Sequence, residues 1–175
     1  MLFRSLYKML AMNGLAKGDY EVFPAGGAPQ RLRAMAERPD HVAAMLNPPS
    51  SLIAQRDGYR SFGSAVEVVG RYQADGAFVR RSWAAANRDT LVAYLAAMIE
   101  GLRWACQPAN KTEAAALLEQ RLKLDPAIAR ASVEQAVGPN GGLAADAAFD
   151  RAGFENMLRI RDEIAGTWEI GRAHV

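Results

Sequence analysis

His41 and Cys106 are the side chains in this chain that could serve as a base or a nucleophile. Each would need a partner placed to hold or activate it. His41 follows Pro39–Asp40 at the head of a short apolar run, where a histidine is more often a loop or edge residue. Cys106 lies near a helix end with Arg103 three residues before it, and a free cysteine is more often a small buried apolar group. No G-x-S-x-G, Walker loop or H-E-x-x-H accompanies them. Asp146 and Asp150 do not form a convincing carboxylate pair. These residues single out no catalytic group, no metal set and no cofactor.

Four features could bind. The first is Gly26–Gly27, set between the run Tyr20–Phe23 and a helix with Pro29 just inside its start. Glycine lets the backbone turn and present its N–H groups, and proline suits a first turn whose donors are unpaired anyway. Such a helix N-terminus attracts anions, although an ordinary strand-to-helix connection also accounts for these residues. Asn47, followed by Pro48–Pro49, repeats the arrangement after Val42–Leu46. Arg80–Arg81 beside Trp83 reads either as an anion clamp or as surface arginines before a core tryptophan. Tyr72 either lines a cleft or fills an apolar gap between lobes.

The elements that must position these residues follow from hydrophobic period and breakers. Helices are expected at Leu2–Asn13, from Pro29, up to Asp57, over Asn87–Ala105, from an Asn110/Glu113 capping box to Leu122, from Asp125–Pro126 to Val137, and over Asp150–Ile164. Short strands are expected at Tyr20–Phe23, Val42–Leu46, Val66–Val69 and Ala77–Val79, and Gly138–Gly142 is a firm break. Strands alternating with helices imply a parallel sheet whose ligands sit outside the strand ends.

Composition narrows the classes. Half the residues are apolar, and 21 Lys+Arg against 19 Asp+Glu, scattered in sequence, leave no stripe for nucleic acid. The longest apolar run, Leu91–Ile99, is far below the roughly 20 residues of a membrane helix. One cysteine excludes an internal disulfide.

The segments NGLAKGDYEVFPAGGAPQRLRAM, AAMLNPPSSLIAQRDGYR, GRYQ, VRRSWAAANRDTLVAYLAAMIEGLRW, ANKTEAAALL and the GPNGGL break, in that order and spacing, resemble the substrate-binding proteins of ABC transporters of the nitrate, sulfonate, taurine and thiamine-pyrimidine-precursor type. The resemblance covers essentially Met1 to Trp168. It implies an α/β fold: residues 1–75 as one α/β lobe of a bilobal type II periplasmic binding protein, and residues 76–168 as the return strand and carboxyl-terminal helices of the other, incomplete lobe. It places ligand contacts on Gly26, Gly27, Ala28, Asn47 and Tyr72. It also implies capture without chemistry of a small anionic or heteroaromatic solute, delivery to a membrane permease, a monomer when complete, and a periplasmic or lipid-anchored extracytoplasmic location. An enzyme on the same scaffold and a ligand-sensing domain of a regulator are the alternatives. One departure is Arg38–Pro39, where the family pattern leads through small residues to an aspartate; Asp40 stands in place to fill that role.

Residues Glu169–Val175, EIGRAHV, match the conceptual translation of a common sequencing adapter and are set aside from fold reasoning, taking His174 with them. With the first half of one lobe and the export signal also missing, Met1 is expected to be an internal methionine of a longer frame. Exposed apolar surface on the return segment and little native affinity are expected to follow.

Overall fold

The computed structural model describes residues 2–16, 18–138 and 142–165. Their regular structure is helical: α1 (Leu2–Met12), α2 (Ala28–Glu37), α3 (Ser50–Arg56), α4 (Ala65–Val69), α5 (Arg81–Ala86), α6 (Arg88–Cys106), α7 (Lys111–Leu122), α8 (Pro126–Val137) and α9 (Arg151–Ala165), with a 3-10 turn at Pro108–Asn110. No strand or sheet forms among the described residues, and this overturns the expected α/β lobe and return strand of a type II periplasmic binding protein. Residues 139–141 of the expected break and the whole adapter-like tail lie outside the described residues.

The correction has a physical cause. A strand exists only where another strand accepts and donates its ladder bonds, and a run of four or five apolar residues supplies neither. Tyr20–Phe23, Val42–Leu46 and Ala77–Val79 are accordingly irregular. Val66–Val69 becomes part of α4, because Ser64 and Glu67 close its first turn. The Ser64 hydroxyl accepts from the Val66 N–H at 3.3 Å, and the Glu67 carboxylate accepts from the Ser64 N–H at 3.1 Å. These local bonds form without a distant partner, so the helix wins despite three valines.

The expected helices fall within a few residues of those observed. Asp125 caps α8 through two backbone N–H groups, Ala127 at 2.8 Å and Ile128 at 3.3 Å. The expected capping box at Asn110 does not form: its side chain donates instead to the Trp104 carbonyl at 2.9 Å.

The chain divides into two compact units, one made of the chain to Ala74 together with the chain from Asp150 onward, the other running from Asp75 to Phe149. In the first, α1 packs against α4 and α9, and α2 against α3. Ser5, Val69 and Ile160 are buried there, and Lys8 pairs with Glu163 between α1 and α9. The stretch after α4 is laced to the head of α9. Asn156 donates to the Val69 and Arg71 carbonyls at 2.9 and 2.8 Å, and the Asp150 N–H donates to the Gln73 side chain at 2.9 Å. Gly153 is required at this seam, since a Cβ there would lie 2.9 Å from the Gln73 nitrogen and against the Asp150 carboxylate.

In the second unit α7 and α8 form the main packed pair. Their core is Ala114, Ala115, Ala129 and Val133, with Trp104, Leu118 and Leu124 partly buried against it. Small residues let two helix axes approach closely. By contrast α6, nineteen residues long, buries none of them. Val92, Tyr94, Leu95 and Met98 are exposed on it, and Phe78 ahead of it is 98% exposed. Among the described residues no helix is long and apolar enough to cross a membrane.

Candidate functional site

The residues expected to contact ligand all fall in the first unit. Gly26 has φ of 86°, a left-handed conformation that suits glycine, and Gly27 is the N-cap of α2. No side chain caps the helix, and Pro29 occupies its first turn. Ala28, the first helical residue, is buried. The Gln30 side chain folds back over the turn, its Oε1 only 2.8 Å from where a Gly27 Cβ would stand. A ligand arriving at these amides therefore meets a neutral carboxamide that can swing aside.

Asn47 lies on the segment entering α3. Its carbonyl accepts from the Ser51 N–H at 3.1 Å, and the residue itself is exposed. Arg31 links this segment to the glycine turn. One helical turn beyond Gly27, it sends Nη1 to the Met45 carbonyl at 2.5 Å, two residues before Asn47. Its Nε is buried without a hydrogen-bond partner. Partial burial lowers the Arg31 pKa, because the guanidinium loses some of the water that favours its charged form. Sequence reasoning missed Arg31. Its only signal is its place four residues after an uncapped turn, and nothing in the sequence points it at Met45.

Tyr72 is half-buried on the stretch between α4 and α5, directly after the carbonyls that Asn156 clasps. Asn156 has no sequence signature, since its partners lie 85 and 87 residues away. The expected aspartate role at position 40 takes a plain form: Arg38 donates to both Asp40 carboxylate oxygens, at 3.3 and 3.0 Å. That hydrogen bonding holds the Asp40 carboxyl below its ordinary pKa. His41 stacks on Phe23 with ring centroids 5.1 Å apart, and its Nε2 is buried without a partner. The Arg38 guanidinium lies 6.0 Å from the Phe23 ring centroid, so Phe23 ties the residues before the glycine turn to those before Val42.

In the second unit Trp83 is 42% exposed on α5, and Arg81 is exposed beside it; neither is a core residue. An open groove of about 650 Å³ runs along α6, lined by Ala96, Ile99, Glu100, Arg103, Trp104 and Gln107. It holds none of the residues expected to contact ligand. Among the described residues no three of His, Cys, Asp and Glu gather as a metal set. The arrangement around Gly26–Gly27 is one of donors without a nucleophile: backbone N–H groups at a helix start, with a guanidinium holding the neighbouring segment. No family model, curated protein or solved structure matches the chain.

Proposed function

We propose that this chain is a solute-binding component of an ABC importer, which captures a small anionic or heteroaromatic solute and passes it to a membrane permease without altering it. Sulfonate, nitrate, taurine and pyrimidine-precursor solutes are the classes the motif series suggests. The observation that carries the reading is the uncapped start of α2 at Gly26–Gly27, tied through the Arg31 to Met45 bond to the segment that ends at Asn47. An N-terminus with free donors and a partial positive charge favours an oxyanion or the acceptor edge of a ring. Exposed Asn47 adds an amide that can donate or accept. The proposal rests on this surface and not on a cleft between α/β lobes, because the sheet such lobes need does not form among the described residues.

The test is amide chemical-shift mapping of the full chain with nitrate, taurine, an alkanesulfonate and a hydroxymethylpyrimidine, each raised to about 10 mM so that weak binding registers. Saturable shifts should centre on Ala28, Gln30 and Arg31, weaken in Asn47→Ala, and leave the solute chemically unchanged. Shifts that follow only ionic strength, or a product that disappears in His41→Ala, would defeat the proposal.

A further inference from the structure

Every residue from Gly76 to Trp83 is exposed, and Phe78 in their midst is 98% so. Successive side chains diverge from the backbone, so unbroken exposure means that the irregular stretch Gly76–Arg80 stands clear of the helices behind it. The stretch is basic as well as apolar. Gly76 to Arg88 carries Arg80, Arg81 and Arg88 and no Asp or Glu, and none of these arginines forms an ion pair among the described residues. We propose that Phe78–Trp83 is a peripheral docking surface for an anionic lipid bilayer, with Phe78 and Val79 entering the headgroup layer and Arg80 and Arg81 pairing with lipid phosphates.

Charge and polarity together select this occupant. A wet phenylalanine gains by leaving water, but a protein pocket that buried it would also have to pair or desolvate the guanidinium groups beside it. A bilayer interface supplies both needs at once: phosphates at the depth of the arginine heads, and a hydrocarbon edge just beneath, where aromatic rings settle. Long arginine stems keep the charged ends among the phosphates although neighbouring side chains leave the backbone in different directions. Irregular backbone is tolerated at headgroup depth, because water still reaches its N–H and C=O groups, and is not tolerated in the hydrocarbon. The contact is therefore confined to the interface. Nucleic acid is the poorer match, since one short run of arginines gives few phosphate contacts and charges elsewhere are scattered in sequence. Solute capture at Gly26–Gly27 plays no part in it.

Co-sedimentation of the full chain with sucrose-loaded vesicles tests this. Phosphatidylcholine vesicles with about 30% phosphatidylglycerol should bind half the chain at roughly 0.1–1 mM lipid in low salt, and pure phosphatidylcholine about 10-fold more weakly or less. Arg80→Gln with Arg81→Gln should weaken binding to the anionic vesicles about 10- to 30-fold, and Phe78→Ala about 5- to 10-fold. All three positions are exposed, so the variants should unfold in urea as the wild type does. Tryptophan emission should shift to the blue on binding, and should not in Trp83→Phe. Inorganic phosphate should displace the chain no more than sodium chloride of equal ionic strength. Absence of binding at about 5 mM anionic lipid overturns the proposal. So does indifference to either set of substitutions, a blue shift that survives Trp83→Phe, specific displacement by phosphate, or capture of a single-stranded RNA with the vesicles ignored.

Discussion

Asn156→Asp is the sharpest test of how the first unit holds the chain ahead of Tyr72. The wild-type side chain uses both amide hydrogens, one on the Val69 carbonyl at 2.9 Å and one on the Arg71 carbonyl at 2.8 Å. Alanine removes both bonds at roughly 1 kcal/mol each, and water reaches the exposed Arg71 side, so the expected loss is about 1–2 kcal/mol. Aspartate keeps the shape but turns oxygen toward both carbonyls, which no rotamer satisfies. It retains Arg159, which now donates to the Asn156 side-chain oxygen at 2.6 Å, and that recovers about 0.5 kcal/mol. The balance is a loss of about 3 kcal/mol at neutral pH, clearly beyond alanine.

The two variants also differ in pH dependence. Two carbonyl oxygens disfavour the ionised form more than one exposed arginine favours it, so the introduced carboxyl has a folded-state pKa above its unfolded value of about 3.9. The folded state then binds the proton more tightly. Stability is recovered in full below the unfolded pKa and lost as pH rises through the folded one. Urea unfolding followed by circular dichroism at pH 4 and pH 7, with amide exchange at α9 to locate the change, should show the aspartate variant closing on alanine at the lower pH. Equal stability of the two variants at neutral pH, or a gap that widens on acidification, would refute the clasp.

Three further outcomes follow from single contacts. Val133→Ala, in the α7–α8 core, should cost about 2 kcal/mol in urea unfolding, whereas Leu117→Ala on the exposed side of α7 should cost about 0.5 kcal/mol or less. Asp125→Ala should destabilise α8 by about 1 kcal/mol through loss of its cap, and Asp125→Ser should restore most of it. The Asp40 carboxyl, lowered by its hydrogen bonds to Arg38, should titrate below an ordinary aspartate by carbon-detected NMR and rise toward the ordinary value in Arg38→Ala. Its depressed pKa adds stability above the unfolded value that is lost as pH falls through the folded one.

Helices were legible because their signals are local. Pro29 inside α2, Asp125–Pro126 before α8 and Gly58 just past α3 each act within one turn of the element they bound. Strands depend on a partner elsewhere, and an apolar run such as Val66–Val69 carries no mark of whether one exists. There the decisive residues were Ser64 and Glu67, a capping-box pair standing in plain sight that outweighed a valine-rich reading. Asn110 shows the converse error. Its spacing to Glu113 is right, yet its amide is taken by the Trp104 carbonyl one helix earlier.

The candidate site divides along the same line. The uncapped turn at Gly26–Gly27 is a local property and could be read directly, while Arg31 matters only because folding sets Met45 beside it. Residue type gave no warning, since Arg33 two positions on is fully ordinary and exposed. The reasoning extends to α6. An apolar helix normally declares its neighbours by which face is buried, and α6 buries none. Its carboxyl-terminal end shows which side meets a neighbour, since Trp104 there is partly buried against the α7–α8 core.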